Sequence, residues 1–315
     1  MKKLLTLVCA FTMLASLVAC GGNENTNVTN GNETLVSVGS SKVTKEDIYN
    51  AMKPQTGSAA LLELVQEKLY ELEGVTLTDE MKKEAEKTYT DLLADYDNDE
   101  EAFFSVLAMY YGVSVSNKEE YLEQLEYPGM LSAELIKKYI LAESETLFET
   151  YKPRKAIIIQ CESEANAKKA LEAMKENKDA TQIAKDFGKK DSTYTGNETI
   201  YISQSSVAAS AFAKLSEATS AGVIDEVISD TTTTTDSETN EEVATTLYYV
   251  VKVIDTDPNN FKDEAVDTIR NTVSSINTSM MEYYLKKHDF KIYDLDLYDA
   301  IKESNPTYLT QNKEN

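Results

Sequence analysis

Residues 247–254 read LYYVVKVI, the most strand-like stretch of the chain. β-Branched and aromatic side chains of this kind favour extended backbone and pack well within a sheet. A second run, RKAIIIQC at residues 154–161, has the same character. Its length and its β-branched core predict a buried strand. These two runs therefore anchor the prediction of the fold.

The sequence between the two runs predicts a small α+β domain. Amphipathic spacing predicts helices over 164–175 and 181–187, followed by a short strand over 199–202 and a helix over 206–215. Residues 230–245, DTTTTTDSETNEEVAT, are interpreted as a polar insert. The resulting order of elements is β-α-α-β-α-β-β, which is typical of a compact α+β domain.

The sequence on both sides of this domain is mainly helical. Helices are predicted over 45–52, after a capping Thr44, and over 61–72, before Gly74. Residues 290–298 suggest a last strand. After Pro258, with Asn260 as its cap, one long helix is predicted from apolar residues that recur every three or four positions: Val266, Ile269, Val273, Ile276, Met280 and Tyr284.

The first twenty residues read MKKLLTLVCAFTMLASLVAC. Two lysines precede an apolar run over 4–17 that is too short and wrongly flanked to span a membrane. The run ends in Leu17-Val18-Ala19-Cys20, which resembles the lipobox of bacterial lipoproteins. That resemblance implies cleavage before Cys20, lipidation of its thiol with acyl chains such as palmitate, and anchoring at the extracytoplasmic face of the cell membrane. The alternative is an ordinary secretory signal with an incidental cysteine.

Charge and composition exclude several classes of function. The chain has 31 Lys+Arg and 54 Asp+Glu, a net charge of −23, which disfavours nucleic acid and suits neutral or basic partners. Cys9 leaves with the signal and Cys20 is lipidated, so Cys161 has no intrachain disulfide partner. His288 is the only histidine. A Ser-His-Asp triad or a His-rich zinc site could therefore form only around it, and we expect no metal or cofactor.

The order of elements, behind a lipobox, resembles the PrsA-type foldase lipoproteins of Gram-positive bacteria, which are related to periplasmic SurA. Matching stretches are VSVGSSKVT at 36–44, YGVS at 111–114 and YKPRKA at 151–156. The resemblance implies a parvulin-type peptidyl-prolyl isomerase (rotamase) domain of FKBP-like topology, inserted in a helical chaperone domain. It also implies that the partners are unfolded polypeptides in protein export; whether the chain forms a homodimer is left open.

On this resemblance the chain divides into six segments. They are a signal peptide (1–19), a flexible tether (20–33), an N-terminal helical chaperone domain (34–152), a parvulin-like domain (153–257), a C-terminal helix that completes the chaperone domain (258–304) and a disordered tail (305–315).

The chain departs from the parvulin pattern at the expected active site. Parvulins resemble K-A-S-H-I-L-V on the first strand and Y-x-Y-H-I-I-K-V on the last. Here the two histidine positions hold Ile158 and Tyr249, so no catalytic residue can be assigned. The candidate pocket consists of Ile158, Tyr201, Phe212 and Tyr249. Prolyl isomerisation breaks no bond and requires an amide twisted in a dry pocket, so the missing histidines weaken the prediction of activity without excluding it.

Three hypotheses remain. The first is a foldase or holdase whose parvulin-like domain is a degenerate isomerase or a second binding surface. The second is an active isomerase with a non-standard pocket, and the third is a solute-binding or adhesive lipoprotein. A set of apolar residues either lines an adaptable client groove or belongs to the core: Leu107, Met109, Tyr110, Tyr111, Tyr127 and Met130.

Overall fold

The computed structural model describes residues 28–38, 41–235 and 242–309. Cys20, the signal peptide and residues 310–315 of the tail lie outside this part of the chain. The strands are β1 (Thr34–Val38), β2 (Ser41–Thr44), β3 (Arg154–Cys161), β4 (Thr199–Tyr201), β5 (Gly222–Val223), β6 (Ile228–Thr235) and β7 (Glu242–Asp255). The α-helices are α1 (Lys45–Glu73), α2 (Asp79–Ala94), α3 (Glu100–Tyr111), α4 (Lys118–Tyr121), α5 (Tyr127–Ala142), α6 (Ser144–Tyr151), α7 (Glu164–Lys175), α8 (Ala180–Phe187), α9 (Ala209–Glu217), α10 (Lys262–Thr272), α11 (Ile276–Lys287) and α12 (Leu295–Ser304).

The chain folds into two compact units, and the α+β fold class is confirmed. The helical unit combines the chain up to Tyr139 with the chain from Asn277 onward. The sheet unit is the intervening segment, Ile140–Ile276. Among the described residues, the five-stranded sheet lies in the sheet unit alone, and the helical unit has only the β1–β2 hairpin.

Helix α1 begins and ends at residues that the sequence identifies. Thr44 caps its N-terminus by accepting the N–H of Asp47, whose carboxylate accepts the N–H of Thr44 in return. Gly74 ends it with a φ of 63°, a left-handed conformation that suits glycine. The prediction of two helices here is wrong, since α1 runs for 29 residues through Pro54 and Gly57.

The residues predicted to form the end of the tether are folded. Gly31 N–H donates to the carbonyl of Val28 at 2.9 Å, and Glu46 N–H donates to the carbonyl of Gly31 at 3.0 Å. Residues 28–33 are therefore fastened to the start of α1, which corrects the expectation of a flexible tether for this stretch.

An aromatic core holds α2 and α3 together in the helical unit. The ring centroids of Tyr89, Phe103 and Tyr121 lie 5.3 to 6.1 Å apart in tilted or edge-on pairs. Such pairs add specificity to ordinary burial. A π-helical turn, Leu122–Glu126, joins α4 to α5 and contributes Leu122 and Leu125 to this core.

The six apolar residues predicted to line either a client groove or the core divide between the surface and the core. Leu107 is buried in the aromatic core, and Tyr127 and Met130 pack against it. Met109 and Tyr110, at the end of α3, are 76% and 73% exposed. These two residues are therefore surface-accessible rather than core. The side chain of Tyr111 lies outside the described part.

The sheet unit has the predicted order of elements with one strand more, because β6 forms where a polar insert is predicted. Strands run in the order β4-β3-β7-β5, all antiparallel, with β6 also paired to β7. Helices α7 and α8 cover one face and α9 covers the other. Cys161 is fully buried beneath α7 and α8, where burial raises the pKa of its thiol to about 11.

The predicted polar insert is largely a β-ribbon. Residues 230–235 belong to β6 and residues 242–245 to β7, paired in continuous register from Ile228↔Tyr249 to Thr235↔Glu242. Threonine is polar but β-branched, so a run of threonines favours extended backbone. Residues 236–241 lie outside the described part.

The C-terminal part differs from the prediction in three ways. The single long helix is instead a 3₁₀ turn (Pro258–Phe261) followed by α10 and α11, with a break at Val273, whose backbone is extended. The break lies within a stretch of weak helix formers, NTVSS at 271–275. The strand predicted over 290–298 is absent among the described residues, because Asp294 caps α12. Pro306–Tyr308 form a 3₁₀ turn with Tyr308 buried, so the tail is ordered to residue 309.

Candidate functional site

The strand register brings the two family histidine positions onto one face of the sheet. Gln160 pairs with Tyr249, and Ile158 pairs with Val251. Directly paired residues point to the same face, as do residues two apart on one strand. Ile158 and Tyr249 are therefore diagonal neighbours beneath α9.

The structure brings the four candidate pocket residues together in one core cluster. Ile158 is 1% exposed and Tyr249 is 4% exposed. Tyr201 is also buried, and burial raises its pKa to about 12; Phe212, on α9, packs partly exposed at the border of the cluster. The positions thus form a packed apolar core, with Phe212 as the member that solvent reaches most.

A short hydrogen-bonded chain leads from Tyr249 toward the surface. Gln160 Nε2 donates to Tyr249 Oη at 3.0 Å, and Ser192 Oγ donates to Gln160 Oε1 at 3.0 Å. The ring of Tyr194 meets that of Tyr249 edge-on, with centroids 6.0 Å apart. Burial raises the pKa of Tyr194, and Tyr249 adds to this effect.

These hydrogen bonds can hold Tyr249 in one orientation, and the groups that they join are one side-chain amide and two hydroxyls. The arrangement therefore offers hydrogen-bond donors and acceptors beside apolar surface. Sequence reasoning missed Gln160, Ser192 and Tyr194, because only the strand register brings them beside Tyr249.

The helical unit contains an apolar cavity of about 260 Å³ between α1, α11 and the segment that follows α11. Leu64 and Leu72, on α1, are 42% and 60% exposed at this site. Exposed apolar side chains that lie together beside a recess are a feature of binding surfaces. The lining residues are Leu64, Val65, Lys68, Leu69, Leu72, Leu285, His288 and Phe290.

A polar cluster closes one end of this cavity. Glu73 Oε1 lies 2.7 Å from both Lys287 Nζ and His288 Nε2, and Lys138 Nζ donates to the backbone carbonyl of Glu73. Burial alone would raise the pKa of Glu73, but the hydrogen bonds from Lys287 and His288 outweigh it and lower the pKa. The ring of His288 also stacks on Tyr284. The single histidine is thus a partner of Glu73 that fastens the end of α1 to the end of α11.

The predicted lipid anchor, Cys20, lies outside the residues that the structure describes. None of the helices in the described part combines the length and hydropathy needed to cross a bilayer.

Comparisons with known proteins give consistent relatives. No family model matches the chain. Foldase protein PrsA of Clostridium botulinum (strain 657 / Type Ba4) is 27% identical over 237 residues, covering 60% of this chain and 70% of the relative. Foldase protein PrsA of Geobacillus kaustophilus (strain HTA426) is 23% identical over 313 residues, covering 96% of this chain and 99% of the relative.

Among solved structures, foldase protein PrsA from Streptococcus pneumoniae str. Canada MDR_19A matches with 21% identity and a TM-score of 0.44, covering 88% of this chain and 99% of that chain. The sequence matches with the curated foldases, one of which extends over nearly the whole chain, agree with the resemblance found in the residues themselves. The resemblance is therefore confirmed, and the chain is similar to PrsA foldase proteins.

Proposed function

We propose that the mature chain is a lipid-anchored extracytoplasmic foldase that binds unfolded exported polypeptides through the apolar cavity of its helical unit. In this proposal the sheet unit is a parvulin-like domain without effective prolyl isomerase activity. The observation that carries the proposal is the similarity to a protein named foldase over 96% of this chain.

The cavity in the helical unit supports the binding role. Leu64 and Leu72 lie eight residues apart on α1, about 2.2 helical turns, and both line the same cavity. Both are exposed beside a recess of about 260 Å³ that is lined mainly by leucines. An unfolded chain presents apolar side chains of the size that such a recess accepts.

The N-terminal sequence supports the location. A short apolar segment ending in Leu17-Val18-Ala19-Cys20 would leave a cysteine with several acyl chains, enough for stable anchoring. A lipid anchor would raise the local concentration of this protein at the membrane, where exported polypeptides emerge. Weak binding of each polypeptide would then suffice.

The test is suppression of aggregation by a soluble form that begins after Cys20. A reduced, unfolded client is diluted into buffer with this form, and light scattering is followed. We expect suppression near stoichiometric ratios, and a clear loss in the Leu64→Ser/Leu72→Ser variant. Val36→Ser, which changes a 55% exposed valine on β1, is the matched control and should behave like the parent. No suppression by the parent would refute the proposal.

A working isomerase is the second candidate, favoured by the hydrogen bond between Gln160 and Tyr249 at a family histidine position. The same soluble form is tested in a protease-coupled assay with a proline peptide. A rate equal to that of buffer is the expected result. A rate that rises with protein concentration and falls in Tyr249→Phe would favour this second candidate instead.

A further inference from the structure

The sheet unit carries a ribbon that extends beyond its core. Strand β7 is 14 residues long, but β3 pairs with it only from Tyr248 onward. In the described part of the chain, residues 242–247 of β7 pair with β6 alone. We call this extension, residues 228–235 with 242–249, the threonine ribbon.

The outer edge of β6 is open. The sheet order is β4-β3-β7-β5, and β6 pairs with β7 on the side that β5 also uses. Among the residues that the structure describes, no strand pairs with the other edge of β6. Of the β6 side chains whose burial the structure describes, only Ile228, at its start, is buried, in the cluster beneath α9. Thr231, Thr232 and Thr233 are exposed.

Most of the usual protection against pairing is missing from this edge, whose one charged residue is Asp230. Natural proteins guard an open edge with lysine, proline, a bulge or a very short strand. Strand β6 reads ISDTTTTT, is eight residues long and pairs with β7 without a register shift. Thr231 and Thr246 also share a cross-strand hydroxyl hydrogen bond of 2.8 Å. The edge is thus a regular template of backbone N–H and C=O groups.

The charge of the ribbon selects its partner. Residues 228–235 and 242–249 contain no Lys or Arg, and their carboxylates are Asp230 and Glu242. Two copies of such a ribbon would bring like charges together, and the chain as a whole has a net charge of −23. A basic segment would instead be attracted to it.

We propose that the outer edge of β6 binds an extended, positively charged polypeptide segment as an added antiparallel or parallel β-strand. Main-chain hydrogen bonds would supply affinity for any extended sequence, and the carboxylates would favour basic ones. This inference deepens the proposed function and rests on it, because unfolded exported polypeptides would be the source of such segments. It adds a second binding surface, in the sheet unit, that does not depend on the missing histidines.

The test compares the soluble chain with a form that lacks the ribbon. Replacing residues 232–245 by Asn-Gly leaves Thr231 and Thr246, which are paired, on either side of a two-residue hairpin turn. The probe is a labelled, end-capped peptide of alternating Val and Lys, followed by fluorescence anisotropy. We expect the ribbon-less form to bind it more weakly by about tenfold or more, with an unchanged melting temperature of the remaining fold.

A second variant tests the edge without shortening it. Thr231→Lys/Thr233→Lys introduces lysine, which on natural edge strands disfavours pairing with another strand. This variant should bind the Val-Lys peptide more weakly. Thr231→Ser/Thr233→Ser keeps the charge and serves as the control. A Val-Lys peptide that is N-methylated at alternate residues should bind no better to the parent than to the ribbon-less form.

Four results would overturn the proposal. These are equal binding of the Val-Lys peptide to both forms, no binding to either, equal binding of a Val-Glu peptide, or self-association of the parent that disappears with the ribbon. Failure of the proposed function is seen separately, as the absence of aggregation suppression by both forms. A ribbon-less form that still suppresses aggregation but no longer binds the peptide supports both the proposed function and this inference.

Discussion

Gln160 and Tyr249 are register partners on neighbouring strands, and their side chains share a hydrogen bond of 3.0 Å at a position where the parvulin pattern has histidine. Tyr249→Phe should cost about 1 kcal/mol of unfolding free energy, because one hydrogen bond is lost without a cavity. Urea denaturation measures this cost. Tyr248→Phe, on the opposite face and less buried, is the control and should be close to neutral.

Ile158 cannot simply be returned to the histidine of the family pattern. Its side chain is 1% exposed among apolar neighbours, so Ile158→His should destabilise the fold by more than about 2 kcal/mol. Burial favours the neutral imidazole and lowers its pKa, so the variant should lose further stability below about pH 6.5, where the unfolded chain takes up the proton. Ile158→Val, which removes only a methylene group, should cost about 1 kcal/mol at every pH. A histidine variant as stable as the parent would show that the site is open.

Lys53 forms a buried ion pair with Asp294 at 2.9 Å, and this pair joins α1 to α12. Lys53→Met should cost about 3 kcal/mol, because it leaves a buried carboxylate without its main partner. Lys53→Met/Asp294→Asn should be less destabilised than Lys53→Met, since asparagine keeps the cap of α12 without the charge. Lys68→Met, at an exposed pair with Glu71, is the control and should cost less than about 1 kcal/mol. Equal costs for the buried and the exposed pair would contradict this account.

Glu73 should make the helical unit sensitive to acid. Its folded pKa lies below the ordinary value of 4.5, so its contribution is fully present above pH 4.5 and is lost as the pH falls through the lowered folded pKa. Glu73→Gln should cost about 1 to 2 kcal/mol at pH 7, and this difference from the parent should shrink toward pH 3. Glu71→Gln, which alters an exposed carboxylate, should show little cost at either pH. A Glu73→Gln cost that is independent of pH would refute the ionic basis of the contact.

Cys161 should report unfolding of the sheet unit. In a soluble form that begins after Cys20 it is the remaining cysteine of the sequence. Raising the pKa of its thiol from 9.0 to about 11 reduces the thiolate fraction near neutral pH by about 100-fold, and burial beneath α7 and α8 blocks access. We expect a thiol reagent to label it slowly in buffer and rapidly in urea. Rapid labelling in buffer would mean that this side of the sheet opens readily.

The sheet unit was the most predictable part, because its strands and helices carry strong local patterns. The predicted bounds of RKAIIIQC and of the helix over 164–175 agree with β3 and α7 to the residue. The ribbon is harder to predict, because a run of threonines is polar and only its β-branching favours extended backbone.

Helix α1 shows what local patterns cannot predict. Pro54 and Gly57 together indicate a break, since each disfavours a helix interior. The helix continues because α12 packs on it there: Lys53 pairs with Asp294, and a Cβ on Gly57 would lie 3.0 Å from Leu297 Cδ2. Because Gly57 has no side chain, Leu297, which is distant in sequence, can pack closely against α1. The hydrogen bonds that run from Ser192 through Gln160 to Tyr249 escaped prediction for the same reason, because they depend on the strand register.

The pairing of Lys53 with Asp294 also sets an order of events during synthesis. The two residues are 241 positions apart, and the whole sheet unit is made between them. Because synthesis starts at the N-terminus, the sheet unit can fold before α11 and α12 are available to pack against α1. Until the last segment arrives, Lys53 remains hydrated, and Leu69 of α1, which is buried in the complete fold, stays exposed. The helical unit closes only on a chain whose synthesis has reached α12, so a prematurely ended chain would expose apolar surface that the complete fold buries.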